Sequence, residues 1–271
     1  VKSFSTASTA LADMPSHVIE EHAEIRTTAK TARASESSNG DRAWKVMQEG
    51  LELEKELKEK ADRVQVACGV LKNYAELLVR LSSDDASDNL QQSADRIGGK
   101  LDDSIDEFNA AFGRNIDTLG GEVAALVRGV GGLYIKRKQT QALQRAVQMG
   151  QPIVNQMSAE IEQLLMSYIK DEKSFSLLAS ERADLISWFE HVGYRQNFPS
   201  AVLIRKGIQR SMAAEQYAEG ARRATMQMCD AHEKLVDLLS SKRDLSGTVE
   251  LVSVYVKEVE EAKSLYDVFK D

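Results

Sequence analysis

The sequence predicts an all-α fold, an elongated antiparallel bundle of about six long helices. Three observations carry this. Apolar residues recur in alternating steps of four and three over long stretches, the signature of a helical seam. No segment shows the strict alternation of a half-buried strand. The 271 residues include only three prolines, and at 6% aromatic content the core is mostly aliphatic, which suits the thin core of a bundle.

Residues 1–34 read as a weakly helical arm. Phe4, Leu11, Val18, Ile25 and Ala32 are spaced by seven. The companion positions Ala7, Met14, Glu21 and Thr28 fill the seam thinly, so the arm must dock on something to stay helical. Pro15 or Ser16 is expected to mark a break. Ala34 to Asp41 is a loop, which sets the expected organisation: an arm and loop over 1–41, and a bundle over 42–271. Residues 42–82 predict a helix roughly 60 Å long at about 1.5 Å per residue. Its stripe is Leu57, Ala61, Val64, Cys68, Leu71, Ala75 and Leu78, with Trp44, Met47 and Leu51 extending it. Ser82 to Asn89 is an acidic turn.

Helix resumes near Ala86 and carries Leu90, Ala94, Ile97, Leu101, Ile105, Phe108 and Phe112, with a stutter between Leu101 and Ile105. The central seam follows: Phe112, Ile116, Leu119, Val123, Leu126, Val130 and Leu133. Gly121, Ala125 and Gly129 stand four apart beside it and suggest a bare ridge where a second backbone approaches. Residues 86–149 either form one helix or break at Gly98-Gly99; the sequence leaves both open. Gly150-Gln151-Pro152 reads as the sharpest stop and restart in the chain. The next helix carries Ile153, Met157, Ile161, Leu164, Tyr168, Phe175, Leu178, Leu185 and Phe189. After a turn at Gly193 to Ser200, residues 200–240 place Ile204, Ile208, Met212, Ala221, Met228, Leu235 and Leu238 on a stripe. The last helix carries Leu245, Val249, Val252, Val256, Val259 and Tyr266.

A net charge of −7 argues against general nucleic-acid binding, which needs a broadly positive surface. No apolar run approaches the length of a membrane-spanning helix. Cys68 and Cys229 read as two buried thiols. The chain opens at Val1 with a Ser/Thr/Ala-rich stretch that suits a tether after a processed export signal and equally a fraying terminus. The reading leans to an exported protein, periplasmic or membrane-anchored.

The familiar catalytic signatures are missing. There is no Gly-x-Ser-x-Gly elbow, phosphate loop or His-Glu-x-x-His, and no histidine follows a glutamate by three as di-iron bundles require. His17, Glu20, Glu21 and His22 read as a solvated face rather than a metal site. Cys229 and His232 read as a core cysteine beside a surface histidine, since zinc would need two further ligands. No cofactor and no metal are expected.

Two features stand out as contact surfaces. Lys136, Arg137 and Lys138, flanked by Arg128 and Arg145, form a basic cluster that suits an anionic membrane or an acidic partner, or a solvated face paired with nearby carboxylates. Trp188, Phe189, Tyr194 and Phe198 concentrate aromatics at one turn, as a cap on the core or a binding tip. The expectation is a non-enzymatic scaffold or interaction protein with a protein partner. A peripheral membrane binder using the basic cluster is the alternative, and an enzyme with an unrecognised site the third.

Overall fold

The computed structural model describes residues 1–35, 37, 39–82, 89–128, 135–169, 176–192, 198–240 and 245–267. Among these the fold is all-α: α1 (Lys2–Leu11), α2 (Met14–Ser35), α3 (Gly40–Leu81), α4 (Asn89–Phe112), α5 (Gly120–Val127), α6 (Ile135–Met166), α7 (Leu177–Val192), α8 (Phe198–Ser240) and α9 (Leu245–Asp267). The chain divides into two compact units. Unit 1 takes Val1–Asp13, Gln65–Glu162 and Arg223–Glu261; unit 2 takes Met14–Val64, Gln163–Arg222 and Ala262–Asp271.

In unit 1 the α3 stripe is buried as its spacing predicts, with Cys68, Leu71, Ala75 and Leu78 all closed off from solvent. The α4 stripe from Ala94 to Phe108 is buried as well. The central seam is not one helix. It breaks at Gly113, not at Gly98-Gly99, which lie inside α4. Gly113 has a φ of 64°, and the Arg114 N–H bonds back to the Asn109 carbonyl at 3.1 Å. That pattern is the left-handed glycine stop that closes many helices. Two side chains of α4 then organise the following loop. The Asn109 carboxamide both donates to and accepts from the Ile116 backbone, each at 2.9 Å. Asp102 accepts the N–H groups of Leu119, Gly120 and Gly121 at 3.0, 2.6 and 2.7 Å, capping α5 from a different helix.

The close backbone approach is real, but it falls at Gly98 and Gly120. A Cβ on Gly98 would lie 2.6 Å from the Gly120 carbonyl oxygen. The expected ridge of Gly121 and Ala125 faces solvent instead, and its third member, Gly129, lies outside the described residues, as do Val130 and Leu133 of the seam.

The stop at Gly150-Gln151-Pro152 is overturned: α6 runs through it with Pro152 inside. Gly150 serves packing, since a Cβ there would run into the Tyr74 phenol. An interior proline costs about 3 kcal/mol. Val147, Ile153, Val154 and Met157 around it are all fully buried, and each such burial contributes about 1.5–3 kcal/mol, so packing outweighs the break.

The junction between α1 and α2 falls at Ala12-Asp13, where the first segment of unit 1 ends, and Pro15 sits in the first turn of α2, which belongs to unit 2. Proline is tolerated there because the first N–H groups of a helix have no intrahelical partner. The buried seam of α2 is Val18, His22, Ile25, Ala29 and Ala32, so Glu21 and Thr28 are not its companions. Asn39 caps α3, accepting the Arg42 N–H on its side chain at 3.2 Å. Leu57, Ala61 and Val64 are buried, but Trp44 and Leu51 do not extend their stripe: they are 61% and 55% exposed. The heptad step back from Leu57 lands on Gly50, which packs on Lys30.

Helix α8 contributes small residues, Gly207, Ser211, Ala214, Ala218 and Ala221, so Met212 is left exposed. In α9 the buried positions are Tyr255, Val259 and Ala262, and Val249 is exposed. No described helix is long and apolar enough to cross a membrane.

Candidate functional site

Of the basic cluster, Arg137 is exposed and Lys138 half-buried, while the Lys136 side chain lies outside the described residues. The flanking arginines are engaged: Arg128 pairs with Asp95 at 3.0 Å and Arg145 with Glu122 at 2.8 Å. Of the aromatic turn, Trp188 is half-buried with the Arg33 guanidinium 5.8 Å above its ring, and Phe189 is exposed. Tyr194 lies outside the described residues, and so does the Phe198 side chain.

A different surface emerges on α3. Trp44, Gln48, Leu51, Lys55 and Lys58 follow the same alternating steps of four and three and are all exposed. This stripe lies on the far side of the helix from Leu57, Ala61 and Val64. Large apolar side chains stand at its start and ammonium groups at its end.

Both histidine clusters depart from expectation. His232 is buried, not at the surface, because it occupies the seam step between Met228 and Leu235 of α8. The Gln151 amide orients it. Its Nε2 donates to Asn155 at 2.8 Å, which turns its Oε1 towards His232 Nδ1 at 2.9 Å. That nitrogen therefore carries the proton, and Nε2 accepts the Tyr74 hydroxyl at 2.6 Å. The phenol has one proton, so this bond takes precedence over its 3.4 Å approach to the Ala146 carbonyl. The Phe4 and Tyr74 rings flank the imidazole at 5.7 and 5.6 Å. Burial pushes the His232 pKa down to about 4, so the ring is neutral near pH 7. A second chain holds α1: Tyr255 donates to Ser8 at 3.0 Å, and Ser8 donates to the Phe4 carbonyl at 3.0 Å.

In unit 2, the solvated face expected for His17 to His22 is corrected in the same way. His22 is 2% exposed. Among the described residues, neither of its ring nitrogens has a hydrogen-bond partner, and the same holds for the hydroxyl of Tyr168, whose ring lies 5.4 Å away at 74° to the imidazole. Each unpaired buried group costs about 1–3 kcal/mol. Nε2 stands 3.8 Å from Glu181 Oε1, and that oxygen accepts Arg26 at 2.9 Å. Burial pushes the Glu181 carboxyl up, but the positive groups beside it, Arg26 and Arg33 among them, hold it low. Glu21 is half-buried and bonded to Arg210.

Neither cysteine is in a disulfide. Cys68 is buried and its thiol is pushed up to about 12 by burial, with Asp13 adding to the shift; a thiol so poorly ionised is a weak nucleophile. Cys229 is only half-buried. Among the described residues, no group of three or more His, Cys, Asp or Glu is gathered to hold a metal ion. No protein-family model, curated protein or solved structure matches this chain.

Proposed function

We propose that this protein is a non-enzymatic helical interaction module and that the Trp44–Lys58 stripe of α3 is its contact surface. The observation that carries the reading is the exposure of Trp44 and Leu51 one heptad apart, 61% and 55%, on a helix whose opposite face is already buried. Exposed tryptophan anchors are enriched where one protein grips another. Lys55 and Lys58 continue the line, so the fitting partner is an amphipathic helix that sets apolar residues on Trp44 and Leu51 and carboxylates on the two lysines. Two of the buried titratable groups support binding over catalysis: His232 has both nitrogens committed, and the Cys68 thiol is poorly ionised.

The test is site-specific photo-crosslinking from position 51 in cells, with position 250 on α9 as control. A crosslinked protein seen only from position 51, and lost in Trp44→Glu, supports the reading. Equal labelling from both positions argues against it. Sedimentation with anionic vesicles supplies the other arm. Should replacing Lys136, Arg137 and Lys138 by glutamine abolish salt-sensitive vesicle binding while Trp44→Glu leaves it intact, the membrane reading replaces this one.

A further inference from the structure

Helices α2 and α7 of unit 2 meet through charge. On α2, His22, Arg26 and Arg33 face Glu181 and Asp184 of α7. Arg26 bonds Glu181 at 2.9 Å, and Arg33 approaches Asp184 at 3.4 Å. One member of this line is incomplete. His22 Nε2 stops 3.8 Å short of Glu181 Oε1, outside the range of a hydrogen bond, although the ring is buried and its nitrogens have no other partner. We propose that His22 and Glu181 form a proton-operated latch: in the neutral state the ring rests beside the carboxylate, and on protonation it closes onto it and tightens the α2–α7 seam.

The groups around the ring favour closure. Glu181 comes from α7, Arg26 from the same helix as His22, Tyr168 from the segment after α6, and Lys60 from α3. An ionised carboxylate has room for about four hydrogen bonds across its two oxygens, so Arg26 does not fill it. The Tyr168 ring, 5.4 Å away and steeply inclined to the imidazole, is uncharged, its phenol pushed up to about 12 by burial. Arg26, bonded to the same Glu181 oxygen, and Lys60 are the opposing charges. Lys60 stands 5.2 Å over the Tyr168 ring. The carboxylate stands 3.8 Å from the ring nitrogen, and Coulomb attraction is strongest at such short range. Closure also relieves one orphaned nitrogen, which the neutral arrangement leaves without a partner.

The measurement is backbone amide exchange in α2 and α7 across the histidine range, from about pH 7.5 to about pH 5.5, corrected for intrinsic rates. Acidification is expected to slow exchange in these two helices about threefold or more in the wild type. His22→Gln and Glu181→Gln should each remove the slowing while retaining the helical circular dichroism. Ring nitrogen NMR on the wild type covers the case in which a variant fails to fold: the latch requires a proton gained on the His22 ring to accompany the slowing. Exchange that is unchanged or faster in acid, slowing that persists in His22→Gln, or a His22 ring that keeps one protonation state would each overturn the latch.

Discussion

Among the described residues, each unit buries one histidine in a helical seam, and the two sit in opposite circumstances. His232 of unit 1 has a partner on each nitrogen, the Tyr74 hydroxyl and the Gln151 amide, and aromatic rings around it. His22 of unit 2 has no hydrogen bond, but a carboxylate stands nearby. The difference teaches that burial alone does not decide what a histidine does. A satisfied neutral ring fixes one arrangement of the helices around it. An unsatisfied ring beside a charge leaves a second arrangement within reach.

The sharpest way to break this comparison uses two glycines. A Cβ on Gly150 would meet the Tyr74 phenol, with ring carbon Cε2 at 2.6 Å, and Tyr74 is held by His232. Gly150→Ala is expected to cost about 3 kcal/mol or more, because the ring must move and its hydrogen bond is lost. In unit 2 a Cβ on Gly207 would meet the end of Leu185 at 2.9 Å, which can rotate away. Gly207→Ala should stay within about 1 kcal/mol of wild type, since the gain in helix propensity offsets the shift. Urea denaturation reads both, and equal losses would contradict a rigid polar core in unit 1 alone.

Acid gives the second test. The folded His232 pKa is lowered from 6.5 to about 4, so the unfolded chain binds the proton first. Its contribution is fully present above about pH 6.5 and is lost as pH falls towards about 4, on the order of 3 kcal/mol in total. His232→Gln should flatten that part of the stability profile measured by thermal melts. A profile identical to wild type would mean that His232 is not the group titrating.

The third comparison is the smallest. His232→Leu strands Tyr74 and Gln151 and should cost about 2 kcal/mol. His22→Leu breaks no hydrogen bond found among the described residues and should cost less than about 1 kcal/mol. Chemical denaturation of both variants side by side decides whether the satisfied ring is worth more than the unsatisfied one.

Much of the architecture was legible because seam spacing is a direct consequence of helix geometry. Leu57 to Leu78 of α3 and Ala94 to Phe108 of α4 are buried where the spacing places them. The errors at Met212 and at the two histidines share a cause. Reading only large apolar residues as seam put Met212 inside and left Ser211 out, whereas Ser211 is buried and donates to the Leu178 carbonyl at 2.8 Å. The histidines were missed the same way. His22 stands four after Val18 and three before Ile25, and His232 four after Met228 and three before Leu235. That spacing was a usable signal, masked by the glutamates around His22 and by the habit of treating histidine as polar. Gly150-Gln151-Pro152 misled for another reason. A glycine can mark a helix end or a crossing side chain, and only the position of Tyr74 distinguishes them. The exposed stripe of α3 was hidden because Trp44 and Leu51 fit a seam when counted without reference to Gly50.

Both tryptophans of the chain, Trp44 and Trp188, belong to unit 2. In optical terms the protein carries its own label. Indole emission excited beyond the tyrosine absorption band reports unit 2 alone, whereas far-ultraviolet ellipticity reports the helices of both. Trp44 is 61% exposed and emits as a solvated indole from the start, so the change on unfolding comes from Trp188 beneath its guanidinium. A single sample followed at both wavelengths therefore distinguishes one cooperative transition from two. Coincident curves mean that the units unfold together, and an emission midpoint displaced from the ellipticity midpoint means that unit 2 has a transition of its own.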